Sequence, residues 1–190
     1  MIYVLMADGC EEIEALTPVD LLRRGGVQVR TVGMKRREIQ GAHGIVFQAD
    51  IQREQLSLSE MEGIVLPGGL EGTEELDRDP LVHQLIDDCM ERALLVAAIC
   101  AAPRILGKRG LLKGRKATVY PSFQKELQGA LLSKEPVCQD GNIVTAVGMG
   151  ASVAFGAKLL ELLKGTETAR RILSAIQYDE HKGSMHEQTI

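Results

Sequence analysis

Long apolar runs, a surplus of basic charge and paired cysteines are all missing from this chain of 190 residues. No apolar stretch approaches the ~20 residues that a membrane-spanning helix needs. Lys and Arg number 22 against 26 Asp and Glu, so the net charge is -4 and no basic footprint for nucleic acid is present. The four cysteines, Cys10, Cys89, Cys100 and Cys138, stand far apart. None falls in C-x-x-C or zinc-ligand spacing, and free thiols suit a cytoplasmic protein. Histidine is scarce, with only His43, His83, His181 and His186. A thiol protease needs a histidine beside its sulfur, and none of the four is an obvious partner. The glycines of Pro67-Gly68-Gly69-Leu70-Glu71-Gly72 are not followed by Lys-Ser or Lys-Thr, which excludes a phosphate loop. There is neither an internal repeat nor a low-complexity segment.

What remains is the composition of a folded globular protein, 45% hydrophobic and 25% charged. The length fits one α/β domain. That domain is expected over residues 1–177, with a loose polar tail over 178–190. The apolar start, Met1 to Ala7, has no basic leader and reads as a first strand rather than a signal peptide.

Short apolar runs alternate with amphipathic ones. Strands are predicted at 2–7, 27–32, 44–47, 63–66 and 93–99, with later ones near 117–119 and 143–145. The segment around 37–39 is expected to pair with 44–47 in a hairpin. Asp140-Gly141 predicts a hairpin turn. Helices are predicted at 11–24, stopped by Gly25-Gly26, at 81–92 after Asp79-Pro80, just after Cys100, at 151–163 and at 167–176. This alternation predicts a mostly parallel sheet covered by helices on both faces. Ligands collect at the carboxyl ends of such strands. Three segments converge there: Asp8 to Glu14, Pro67 to Gly72, and Cys100 onward.

Cys100 ends the uncharged run Val96-Ala97-Ala98-Ile99 and precedes Ala101-Ala102-Pro103, with proline suited to a first helical turn. That pattern places its sulfur on a tight strand-to-helix turn, facing unpaired N–H groups that favour thiolate. A buried structural thiol is the competing reading. Glu11, Glu12 and Glu14 lie at a helix start. Dipole compensation accounts for Glu11 and Glu12. Glu14 lies further in and can face the sheet end, where a protonated carboxyl would donate a hydrogen bond to sulfur. Gly68 and Gly69 let backbone approach a ligand, and the N–H groups of Gly69 and Ala101 are natural donors to an oxyanion. A plain strand-to-loop turn is the alternative for those glycines. Gly148-Met149-Gly150 lacks the third glycine of a nucleotide fingerprint and reads as a tight turn. Arg104, one helical turn past Cys100, either lowers the thiol pKa, binds an anion or stands in solvent.

These motifs resemble the ThiJ/PfpI superfamily, and within it the branch of the parkinsonism-associated protein deglycase and its bacterial relatives. The resemblance runs through Gly9-Cys10-Glu11-Glu12-Ile13-Glu14, Pro18-Val19-Asp20, Arg23-Arg24, Val65-Leu66-Pro67-Gly68-Gly69, Ala97 to Pro103 and Gly148 to Ser152. It implies a flavodoxin-like three-layer sandwich with Cys100 at a nucleophile elbow, a homodimer, and no metal or organic cofactor. It further implies Cys100 as the reactive thiolate, with Glu14 as the carboxylic acid bonded to it. The activity implied is of glyoxalase or deglycase type, on α-oxoaldehydes such as methylglyoxal or on their early protein adducts, with an oxidation-sensitive cysteine. A redox sensor or redox-regulated chaperone with little turnover, and an inactive binding module, are the competing functions. Two positions depart from the family pattern. Tyr120 stands where many members carry a histidine near the sulfur, which argues against a protease and leaves Tyr120 to supply a hydroxyl or wall the pocket. His43 stands where close relatives carry an arginine.

Overall fold

A computed structural model of the chain describes residues 1–178. The predicted tail, with His181 and His186, lies outside the described residues but for Tyr178. The elements run β1 (Ile2–Met6), α1 (Glu12–Arg24), β2 (Val29–Gly33), β3 (Glu38–Gln40), β4 (Val46–Gln48), β5 (Ile51–Gln52), β6 (Gly63–Leu66), α2 (Leu70–Arg78), α3 (Pro80–Glu91) and β7 (Leu95–Ile99). There follow α4 (Pro103–Lys108), β8 (Lys116–Ala117), β9 (Leu131–Leu132), β10 (Val137–Asp140), β11 (Ile143–Ala146), α5 (Ser152–Lys164) and α6 (Thr166–Ala175).

A seven-stranded sheet in the order β10-β11-β7-β6-β1-β2-β5 forms the middle layer. Every pairing in it is parallel except β10 with β11, the hairpin turned at Asp140-Gly141. Central strands buried on both faces need continuous apolar sequence, and β1, β6 and β7 are buried at every residue. Alternation divides them between two cores. Ile2, Val4, Met6, Ala97 and Ile99 pack with Leu22, Phe155, Leu159 and Ile172 of α1, α5 and α6. Tyr3, Leu5, Val96 and Ala98 pack on the other face with Leu76, Leu85, Ile86 and Leu106 of α2, α3 and α4. The result is the expected flavodoxin-like α/β sandwich.

Several elements differ from the pattern-based expectation. Residues 70–78 form a helix that periodicity did not reveal, because only Gly72, Thr73 and Leu76 are buried in an otherwise acidic segment. Gly72 is needed there: a Cβ would stand 2.6 Å from the Cys10 amide nitrogen. The strand near 117–119 shrinks to β8, which pairs with β9 in a separate two-stranded sheet rather than joining the central one. β7 starts at Leu95, two residues late, because Ala93 takes a positive φ of 53°. The β3–β4 hairpin forms as predicted, its strands starting one and two residues later, and lies outside the main sheet. Among the described residues no helix is long and apolar enough to cross a membrane.

Candidate active site

Cys100 leaves β7 in the left-handed region, with φ 63°. A non-glycine residue held there is strained by its Cβ, and such strain persists only where the surroundings enforce it. Here the backbone is tied on both sides. The Cys100 N–H donates to the Ala146 carbonyl at 2.9 Å, prolonging the pairing with β11, and the Cys100 carbonyl accepts from the Tyr120 N–H at 2.9 Å. The turn therefore aims the sulfur outward from the carboxyl ends of the strands. The N–H groups of Ala101 and Gly69 both reach it.

The three carboxylates at the start of α1 take three different jobs. Glu11 caps the helix, its Oε2 accepting from the Glu14 N–H at 2.7 Å. Glu12 ties the helix to the β3–β4 hairpin, its Oε1 accepting the His43 N–H at 2.8 Å and its Oε2 lying 3.0 Å from His43 Nδ1. Glu14 is wholly buried and turns toward the sulfur. Its Oε2 accepts the Gly68 N–H at 3.0 Å, while Oε1 has no partner. A buried carboxylate oxygen without a donor is costly. Oε1 and Cys100 Sγ face the same space, at 4.0 and 3.9 Å from the point where a Cβ on Gly148 would sit. A proton placed on Oε1 can be donated to sulfur.

Gly68 makes this approach possible. A Cβ on it would stand 2.6 Å from the Cys100 Cβ and collide with Glu14 Oε2. Gly69, with φ 86°, lies against the Gly9 carbonyl. So the glycines are more than a turn: they bring three segments into contact.

Burial pushes the Glu14 carboxyl up to about 7; the contact with Cys100 and the Gly68 N–H pull it back, and Glu11 adds repulsion. The Cys100 thiol is pushed up to about 12, first by burial, then by the nearby Glu14 carboxyl, against the pull of the Ala101 and Gly69 N–H groups. The expectation from sequence is of a thiol lowered by its helix; burial and the neighbouring carboxyl act in the opposite direction. α4 is only six residues long, and the Glu14 carboxyl sits beside the sulfur. The two groups titrate as a pair. Moving one proton from sulfur to Glu14 turns the repulsive neighbour into a donor without changing the net charge of the site.

Other candidates fall elsewhere. Arg104 is buried under Phe123, its guanidinium 4.8 Å from the ring centre and facing Glu74 and Glu126 at 3.7 and 4.0 Å. His83 Nε2 lies 2.7 Å from the Asp77 carbonyl, and His43 is engaged with Glu12, which raises its pKa. Neither histidine meets the sulfur. Tyr120 is half exposed and stands at the mouth, its ring 3.5 Å from the Gly148 Cβ position. Gly148 is a site residue that sequence reasoning missed as such; a glycine-rich turn after β11 was its only local signal. Glu11, Glu12 and His43 offer ligand atoms within 4.8 Å of one another, the one metal-capable grouping among the described residues. A cavity of about 430 Å³ against β10, α5 and α6 is lined by Pro136, Lys158, Arg170 and Leu173 and does not include Cys100.

The model of the DJ-1/PfpI family matches residues 1–162. The chain belongs to the DJ-1/PfpI family. Protein dj-1beta of Drosophila melanogaster is 32% identical over 176 residues, spanning 91% of this chain and 94% of that one. The DJ-1/PfpI fold of this chain superposes on the crystal structure of Drosophila DJ-1beta with a TM-score of 0.89, covering 94% and 97% of the two chains at 31% identity. Oxidized DJ-1 of Toxoplasma gondii gives a TM-score of 0.88 at 31% identity over 93% and 97% of the chains. A deglycase of Pyrococcus abyssi is 30% identical over 86% of this chain and 99% of its own.

Proposed function

We propose that this DJ-1/PfpI protein is a cofactor-independent glyoxalase or deglycase-type enzyme, with Cys100 as nucleophile and Glu14 as acid and base. The observation that carries the reading is the buried, partnerless Glu14 Oε1 set against the Cys100 sulfur. Glu14 takes the thiol proton, and the thiolate adds to the aldehyde carbon of an α-oxoaldehyde. The N–H groups of Gly69 and Ala101 receive the developing oxyanion, and the Glu14 proton completes a hemithioacetal. Glu14 then moves the aldehyde hydrogen, as a proton, to the neighbouring ketone carbon, leaving a thioester. Water cleaves it to a 2-hydroxy acid and frees Cys100. In sum, R–CO–CHO and H₂O give R–CH(OH)–COOH, with no oxidant or reductant. The Pyrococcus relative, named a deglycase, supports this class of chemistry. The test is conversion of methylglyoxal to lactate: Cys100→Ala abolishes it with the fold intact. Unchanged turnover in that variant refutes the reading.

A redox-sensing role is the second reading. Cys100 is the one cysteine of the four that is partly exposed, so mild peroxide is expected to oxidise it selectively. Equal oxidation of all four counts against it. Free thiols accord with a reducing compartment such as the cytoplasm. For the homodimer, the support is an apolar face on α1 and the β3–β4 hairpin, where Ile13, Leu16, Ile45 and Val46 are exposed. Sedimentation of Val46→Asp tests it, with dissociation expected.

A further inference from the structure

A cavity of about 370 Å³ that the reaction above leaves unused opens along the loop at Gly148, the residue that neighbours the Cys100 sulfur without Cys100 itself lining the cavity. Tyr120, Pro121, Pro136, Val147 and Met149 wall it, and Gly148 joins it to the site. A Cβ on Gly148 would lie 3.5 Å from the Tyr120 ring and 3.9 Å from Cys100 Sγ. Those are ordinary contact distances, so a methyl group at that point would touch both the Tyr120 ring, which walls the cavity, and the Cys100 sulfur. No charged side chain lines the cavity. Other surface hollows of this protein differ: one is lined by Glu74, Asp77, Arg78, Arg104, Lys108 and Glu126. Tyr120 and Met149 are 49% and 54% exposed, leaving large apolar surface open to water at the rim.

We infer that this cavity is a subsite for an aryl or branched alkyl group carried by the carbonyl compound that Cys100 attacks, with Tyr120 and Met149 as specificity determinants. The inference rests on the proposed reaction at Cys100 and narrows its substrate class. A charged substituent, such as the remainder of a glycated lysine or arginine, would lose water here and gain no partner. An apolar group gains contact surface, and an apolar cavity of ~150 Å³ already takes up benzene. The favoured substrate is therefore an α-oxoaldehyde whose R group is larger than methyl.

Two measurements test this. The first is kcat/KM for phenylglyoxal against methylglyoxal. The second needs no turnover: the rate of Cys100 modification by N-phenylmaleimide against N-methylmaleimide, each corrected by the same ratio for glutathione. Both ratios are expected at roughly tenfold or more in favour of the aryl reagent, and Met149→Asp is expected to collapse both. Met149 is exposed, and Met149→Ser serves if the charged variant fails to fold. Turnover of methylglyoxal with both ratios near one overturns the subsite and leaves the reaction standing. No turnover of either aldehyde, with the maleimide preference intact and lost in Met149→Asp, overturns the reaction and upholds the apolar subsite. An aryl preference that survives in both Met149 variants overturns the assignment of the cavity.

Discussion

Cys100 and Cys89 make an instructive pair. Burial pushes both thiols up to about 12. Cys89 lies on α3 in the core under the sheet, wholly buried, its sulfur 4.0 Å from that of Met61. Cys100 stands at the end of β7 with two backbone N–H groups and a carboxyl against its sulfur. Desolvation is common to the two sites, so it does not distinguish a reactive thiol from an inert one. The difference is a route for the proton: Glu14 can receive it and then stabilise the thiolate by giving a hydrogen bond back. Cys89 has no such acceptor in contact. Of the charges acting on it, Asp88 raises its pKa and Arg92 lowers it.

The largest effect that would break this contrast is on turnover. Cys100→Ala is expected to reduce methylglyoxal turnover by about a thousandfold or more, while Cys89→Ala leaves it within about twofold. Comparable losses in both would erase the distinction. Next comes Glu14→Gln. It keeps the shape and can donate to sulfur but cannot accept the thiol proton, so turnover should fall by about 10²–10⁴-fold. Cys100 alkylation, read by peptide mass spectrometry from pH 5 to 9, should shift with it while that of Cys89 stays put.

A smaller effect concerns stability and pH. The folded Glu14 carboxyl is raised from 4.5 to about 7. Between those values the folded chain holds a proton that the unfolded chain has lost, so stability falls as pH rises. The loss amounts to at most roughly 3 kcal/mol and is complete only above about pH 8. Glu14→Gln lacks this component. Its denaturation midpoint relative to wild type should therefore rise between pH 5 and pH 8; a parallel pair of curves would place Glu14 outside the low-dielectric site. Last, Cys89→Ser puts a hydroxyl in the apolar core and should cost about 1–3 kcal/mol in a urea titration, with activity preserved.

Much of this was legible in the residues. The uncharged runs at 63–66 and 93–99 read as buried strands, the second two residues too early, and the Gly and Pro punctuation around them located the turns. The acidic segment 70–78 was not legible as a helix, since its buried face holds a glycine, a threonine and one leucine. Likewise β8 read as another strand of the sheet, and only its partner β9 shows otherwise. At the site, sequence placed Cys100, Glu14 and the glycines near one another but not the balance between burial and N–H donors at the sulfur, because electrostatics depends on distances that a motif does not carry.

By itself, then, the order of apolar and polar residues determined the layered α/β architecture, the turn at Cys100 and the convergence of three loops at one end of the sheet, because periodicity and backbone restriction act locally. Sequence singled out Glu14 among three neighbouring glutamates, but only the tertiary structure decided what each of the three meets. Glu11 was taken by the helix cap, Glu12 by His43, and Glu14 was left with one buried oxygen unpaired. It likewise withdrew Arg104 beneath Phe123 and opened an apolar cavity along the loop at Gly148. Desolvation and proton sharing are properties of what surrounds a group in space, and that surrounding comes from segments far apart in the chain.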